Sequence, residues 1–142
     1  MSQTYRVGII GLSGIAAGPA RPAPHPGLGS DSPYSHASAY ARLPQCQVVA
    51  VCDLSPERIE AFLKNWRERW PSVKAYTNVD EMFANHKFDI LSVATPDHLH
   101  KPFVLKGCEA GVRGILCEKP LATTLDDCDE MIAAVRRHGV KM

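Results

Sequence analysis

A parallel, doubly wound α/β sheet is the fold class this sequence predicts, and three observations predict it. Apolar runs of strand length alternate with amphipathic stretches of helical length along the chain. The apolar runs are continuous, as in strands covered on both faces. Strand and helix patterns follow one another in regular alternation, the order that crossover-connected parallel strands require.

The strands read in order as "YRVGIIG" (5–11), "CQVVAVCD" (46–53), a shorter "VKAYT" (73–77), "KFDILSVATP" (87–96) and "RGILCEKP" (113–120). The helices between them carry their own start and stop signals. "SPERIEAFLKNWRERW" (55–70) has Ser55 as cap, Pro56 at the first position and Glu57 in the first turn, followed by an apolar face of Ile59, Phe62, Leu63 and Trp66. "NVDEMFAN" (78–85) is a short helix capped by Asn78. "HLHKPFVLKGCEAG" (98–111) reads as helical after Pro102 and stops near Gly111. "TLDDCDEMIAAVRRHG" (124–139) has Thr124 as cap, acids in its first turn, "RRH" in its last and Gly139 beyond it, a charge order that suits the helix dipole. "VKM" (140–142) reads as the opening of a further strand.

Composition narrows the class of partner. The 142 residues, 45% hydrophobic, suffice for one domain with a real core. A formal net charge of +1 offers no basic footprint for nucleic acid. No apolar run approaches membrane-spanning length, and "MSQTYR" has no signal-peptide core, so a cytoplasmic protein is expected. The five cysteines, Cys46, Cys52, Cys108, Cys117 and Cys128, are odd in number and form no CxxC. They read as reduced, mostly buried thiols, with no metal site.

The turn after the first strand is the first motif that carries chemistry. A dinucleotide fingerprint runs strand, G-x-G-x-x-G/A, helix, then an acid ending the next strand. Here the turn is Gly11-Leu12-Ser13-Gly14-Ile15-Ala16, with Ser13 where the middle glycine would stand. Asp53 ends the second strand, where a carboxylate can accept from ribose hydroxyls. It lies 42 residues after Gly11, against roughly 20 in the fingerprint. Taking out the 19 residues of the Pro/Gly-rich stretch 17–35 leaves 23. The fingerprint is thus complete with an insertion in its first crossover, and the helix resumes at "SHASAYARLP" (35–44) with Ser35 as cap. The insertion is expected as a loop over the cofactor rim or as a plain surface excursion. A carboxylate at 53 repels a 2′-phosphate and favours NAD over NADP. Arg58, five residues on, can reach such a phosphate or stand as a solvated helix arginine. Gly11, Ser13, Gly14, Ile15 and Ala16 are the candidate pyrophosphate residues, and Asp53, Leu54 and Arg58 those around the adenosine ribose.

Two further strand ends fall on the same rim, since ligands of open α/β sheets bind beyond the strands' carboxyl ends. "ATPDHLH" (94–100) offers Thr95 and Pro96 as a wall and His100 toward the nicotinamide half. "CEKPLATT" (117–124) offers Glu118, Lys119 and Pro120. A lysine there can polarise a substrate hydroxyl or carbonyl, with the neighbouring acid holding it in place. Taken singly, His100 also reads as a structural histidine and Glu118–Lys119 as a solvated pair.

With "VGIIGLSGIA", "HASAYARLPQCQVVAVCDLSPER", "DILSVATPDHLH" and "GILCEKPLATTLDD" in this order, the chain resembles the glucose–fructose oxidoreductase, inositol dehydrogenase and MocA (Gfo/Idh/MocA) family. The resemblance covers most of the chain outside 17–35. It implies a Rossmann-type NAD(P)-binding domain, with Lys119 taking part in proton transfer at the reacting carbon, Thr95 and Pro96 on the cofactor and His100 near the same cleft. It implies hydride transfer between nicotinamide and a sugar, cyclitol or related polyol, and a homo-oligomer for full-length members. Family members also carry a second α/β domain that supplies most substrate contacts, to which nothing in 1–142 corresponds. The chain is therefore expected to be the nucleotide-binding part of such an enzyme. A non-catalytic NAD-binding module, or a fragment needing a partner domain for activity, is the alternative.

Overall fold

The computed structural model describes residues 3–19 and 33–142. Its strands are β1 (Tyr5–Ile10), β2 (Cys46–Cys52), β3 (Lys74–Tyr76), β4 (Ile90–Val93) and β5 (Gly114–Cys117). All pair in parallel, in the order β3-β2-β1-β4-β5. The chain winds outward from β1 to β3, then crosses back to β4 on the other side of β1. The topological switch point therefore lies between β1 and β4, where open α/β sheets bind ligands.

Among the described residues six α-helices accompany the strands: α1 (Gly14–Ala17), α2 (His36–Ala41), α3 (Pro56–Trp66), α4 (Val79–Asn85), α5 (His100–Glu109) and α6 (Leu125–His138). The expected caps form. Ser55, Asn78 and Thr124 side chains accept from first-turn amides, Ser35 and Ser38 close a capping box, and Gly139 ends α6 with φ +68°. One boundary differs from the sequence reading. α5 starts at His100, two residues before Pro102, preceded by a 3-10 turn at Asp97–Leu99. Proline is harmless there, because the N–H it lacks belongs to a first turn without intrahelical acceptors. The strands and α3 are also shorter than their apolar runs, whose ends continue into the flanking loops.

Side chains of β1 alternate between two cores, as the strand period requires. Val7 and Ile9 face a cluster with Val48, Val51, Phe62, Trp66 and Trp70. Ile10 faces a second with Ala50, Leu91, Val104, Ile115 and Met131. A register shift between Val7 and Gly8 gives β2 an extra residue, which places Val48 and Val51 on one face despite their odd spacing. Burial of each such large side chain contributes about 1.5–3 kcal/mol. Trp66 also donates from Nε1 to the Ala17 carbonyl at 2.8 Å, which fixes the end of α1 on α3. The five cysteines are free, and Cys46, Cys52 and Cys108 are buried, as expected. Lys141 forms a parallel bridge with Gly114, so 140–142 occupy the next strand position beside β5.

Residues 20–32 of the proline-rich insertion lie outside the described residues, and with them the expectation of a rim loop. The ends that are described are tied together: Ser35 Oγ donates to the Gly18 carbonyl at 2.6 Å.

Gly11 is the tightest backbone junction in the sheet's carboxyl edge. Its φ is +86°, and a Cβ there would sit 2.5 Å from the Ala94 carbonyl oxygen. Both the left-handed backbone and the contact exclude a side chain. Gly11→Ala is expected to lower unfolding free energy by about 3 kcal/mol or more, read by denaturant unfolding.

Candidate functional site: a cofactor cleft at the sheet's carboxyl edge

The carboxyl ends of β1 to β4 open onto a cleft of about 930 Å³. Gly11 and Ser13 form its floor, Asp53 and Arg58 one side, Thr95 and Pro96 the other. Leu54 lines the same rim and is 82% exposed. Gly11 N–H donates to Cys52 O at 2.8 Å, so the turn leaves β1 still paired to β2. Ser13 has φ −66°, a conformation open to any residue, so the substitution for the fingerprint's middle glycine strains nothing. It stands as the cap of α1 without a side-chain cap bond, and its hydroxyl is not committed there. At Gly14 a Cβ would meet no protein atom within 4 Å. Ala16 is buried in the core, and Ile15 is 46% exposed outside the cleft lining, so these two brace the turn rather than line the site.

Asp53 ties the turn to the second strand. Its Oδ2 accepts from Leu12 N at 2.7 Å and its Oδ1 from Ser55 N at 2.9 Å. The Arg58 guanidinium lies 3.6 Å from Oδ2. An ionised carboxylate offers about four lone-pair sites, so one on Oδ1 remains. Arg58 is thus more than a solvated helix arginine: it is paired to Asp53, with its side chain 57% exposed. Thr95 Oγ1 is buried with no hydrogen-bond partner.

The other two strand-end predictions need correction. His100 is 1% exposed and does not project into the cleft. Its Nε2 lies 2.9 Å from Thr95 O, and its Nδ1 lies 2.9 Å from Pro120 O and 3.2 Å from Leu121 O. The ring is a strut between the loops after β4 and β5, which leaves no nitrogen for a ligand. Glu118 does not hold the Lys119 ammonium. Its Oε1 lies 2.9 Å from His36 Nε2, and its Oε2 accepts from the Lys119 backbone N–H at 3.3 Å. The bond from His36, then that from Lys119 N–H and the nearby Lys119 charge, hold the Glu118 carboxyl below its ordinary 4.5 against partial burial. Lys119 and Pro120 are exposed, the peptide between them is cis, and both lie beyond the cleft lining.

The cleft also contains residues the sequence reading missed. Thr77, Asn78 and Val79 line it from the end of β3, and Phe103 lines it from α5. The rule that ligands gather at strand carboxyl ends points to the first three. Phe103 carried no signal beyond an apolar helix position. Cys52 reaches the lining too, but burial first and the Asp53 charge second push its thiol up to about 11, so it stays a thiol at neutral pH.

A crevice at the switch point of a parallel α/β sheet is the arrangement of dinucleotide-binding α/β domains. Over residues 5–142 the chain matches the model of the Gfo/Idh/MocA oxidoreductase family with an NAD-binding Rossmann fold, and it belongs to that family. It is 31% identical to the D-apiose dehydrogenase of Paraburkholderia graminis over 108 residues, 76% of this chain and 28% of the relative. It is 29% identical to the inositol 2-dehydrogenase/D-chiro-inositol 3-dehydrogenase of Shouchella clausii over 139 residues, 98% of this chain and 34% of the relative. The chain thus spans about a third of such relatives. Its fold is shared with the WlbA dehydrogenase of Bordetella pertussis, solved in complex with NADH and UDP-GlcNAcA, at a TM-score of 0.74 and 24% identity over 99% of this chain and 34% of that one.

The lowered Glu118 pKa has a definite sign in stability. Its contribution is complete above the unfolded value of 4.5 and is lost as pH falls through the folded value below it. The stability difference between wild type and Glu118→Gln is therefore expected to shrink as pH falls below about 5, read by urea unfolding at each pH.

Proposed function

We propose that the chain is the nucleotide-binding part of an NAD-dependent oxidoreductase acting on a sugar, cyclitol or related polyol. The observation that carries this reading is the Asp53 carboxylate fixed against the glycine turn with one acceptor site left over. That site accepts a ribose hydroxyl, and a second opens if Arg58 turns to solvent. Gly11, Ser13 and Gly14 fit the pyrophosphate: the backbone is bare at 11 and 14, the space beside Gly14 is open, and the Ser13 hydroxyl is free to donate. Thr77, Val79 and Phe103 offer apolar surface to the adenine. Thr95 Oγ1, buried and unpaired, gains a partner from the bound cofactor.

NAD, when bound, supplies the hydride acceptor at nicotinamide C4. Lys119 stands on the adjoining strand end with no described residue hydrogen-bonded or ion-paired to its ammonium group. In oxidation of a secondary alcohol its amine takes the hydroxyl proton as the carbon loses hydride, and in ketone reduction the ammonium returns it. The groups that choose the substrate belong to the remaining length of the relatives. For residues 1–142 alone, cofactor binding is the activity proposed, and the non-catalytic module differs from the enzyme only in what completes the Lys119 side.

NADH fluorescence titration tests this reading. Saturable binding is expected below about 1 mM, with NADPH weaker. Asp53→Ala is expected to weaken NADH at least tenfold and to narrow the difference between the two cofactors, at about 1.4 kcal/mol per factor of ten. Absence of binding at millimolar cofactor would contradict the assignment of the cleft.

A further inference from the structure

We infer that His36 is a positioning residue for Lys119, acting through the Glu118 carboxylate that it holds against the Lys119 backbone amide. The inference rests on Lys119 being the proton-handling residue proposed above. His36 is 82 positions from Glu118 in sequence, and the two meet because α2 begins beside the end of β5. The His36 side chain is 8% exposed and that of Glu118 20%.

The geometry divides the carboxylate between two donors. Oε1 takes His36 Nε2 at 2.9 Å, and Oε2 takes Lys119 N–H at 3.3 Å. A carboxylate only accepts, so His36 Nε2 carries the hydrogen. An acid's bond to the next residue's amide is easily exchanged for water when the acid is otherwise free. Here the second donor fixes the plane of the carboxylate and keeps Oε2 on the amide. The ammonium of Lys119 has no hydrogen-bond or ion-pair partner among the described residues and is available to a substrate oxygen. Had Glu118 paired with it directly, as the sequence suggested, the proton donor would have been partly neutralised.

His36 is itself anchored. It is the first residue of α2, its neighbour Ser35 is held by the capping box with Ser38, and Ser35 Oγ donates to Gly18 O at 2.6 Å. Gly18 N–H in turn donates to Gly14 O at 3.0 Å. A continuous series of hydrogen bonds and single residues therefore runs from the glycine turn, through Gly18, Ser35, His36 and Glu118, to the Lys119 amide. The seat of the cofactor phosphates and the proton-handling lysine are located by one set of contacts. Among the described residues His36 Nδ1 is buried and has no partner, and Nε2 carries the hydrogen bond.

Amide NMR on the 142-residue chain tests the inference without substrate or cofactor. His36→Leu keeps an apolar side chain of similar size and removes the donor, whereas His36→Gln returns an N–H near the position of Nε2. Loss of the clamp is expected to shift the Lys119 amide proton upfield and to reduce its hydrogen-exchange protection by about tenfold in His36→Leu. His36→Gln is expected to stay within about twofold of wild type. Glu118→Ala, which removes the acceptor and leaves α2 untouched, is expected to lower Lys119 protection as His36→Leu does and serves if His36→Leu does not fold. An unchanged Lys119 amide in either His36→Leu or Glu118→Ala overturns the inference. So does a His36→Gln chain that folds but behaves at Lys119 as His36→Leu does, because a packing role needs no donor. NADH titration of the same samples separates the two readings. Failure of wild type to bind NADH counts against the proposed function alone, and an insensitive Lys119 amide in a chain that binds NADH counts against the clamp alone.

Discussion

The backbone of Gly11 passes so close to the end of β4 that the nearest atom to a side chain there would be a carbonyl oxygen, at 2.5 Å. The rest of the site depends on this approach. With φ at +86°, the chain leaves β1, turns over the β1–β4 junction and presents Leu12 N–H to Asp53. Sheet order puts β2 and β4 on either side of β1, so the turn sits where the winding direction reverses. A crevice forms there because no crossover covers it.

Charge in the crevice is arranged around one carboxylate. Asp53 is held by two backbone amides and a guanidinium, and its side chain is 8% exposed. Those bonds offset the cost of burying a charge and fix its direction. Arg58 lies at the same point as a second control. Paired with Asp53 it leaves a single acceptor site, and displaced it leaves more room and a free cation. On the function proposed above, the balance between the two residues sets which ribose the cleft accepts.

Much of this was legible in the sequence, for reasons that can be named. The parallel sheet followed from continuous apolar runs, and the caps at Ser35, Ser55, Asn78, Thr124 and Gly139 followed from short-range chemistry that tertiary context did not override. Asp53 could be matched to Gly11 only by excluding an insertion, and the Leu12–Asp53 bond supports that exclusion. What was not legible depends on contacts between distant segments. His100 looked like a cleft residue because it follows a strand end, yet the first turn of α5 carries it inward to three carbonyls. Glu118 looked like a partner for its neighbour Lys119, and the competing donor, His36, is far away in sequence beyond the proline-rich stretch. Phe103 has no local mark of its role, since an apolar residue on a helix is ordinarily core.

On the function proposed above, NAD lies across the Gly11 turn with Asp53 at the ribose. Amide chemical-shift mapping on adding NADH to the isotopically labelled chain tests it most directly. Saturable shifts are expected at 11–15, 53–55, 58, 77–79 and 95–96, with the C-terminal turns of α3 and α6 unmoved. Saturable shifts that avoid the Gly11 turn and Asp53, or no shifts at cofactor concentrations of about 1 mM, would contradict it.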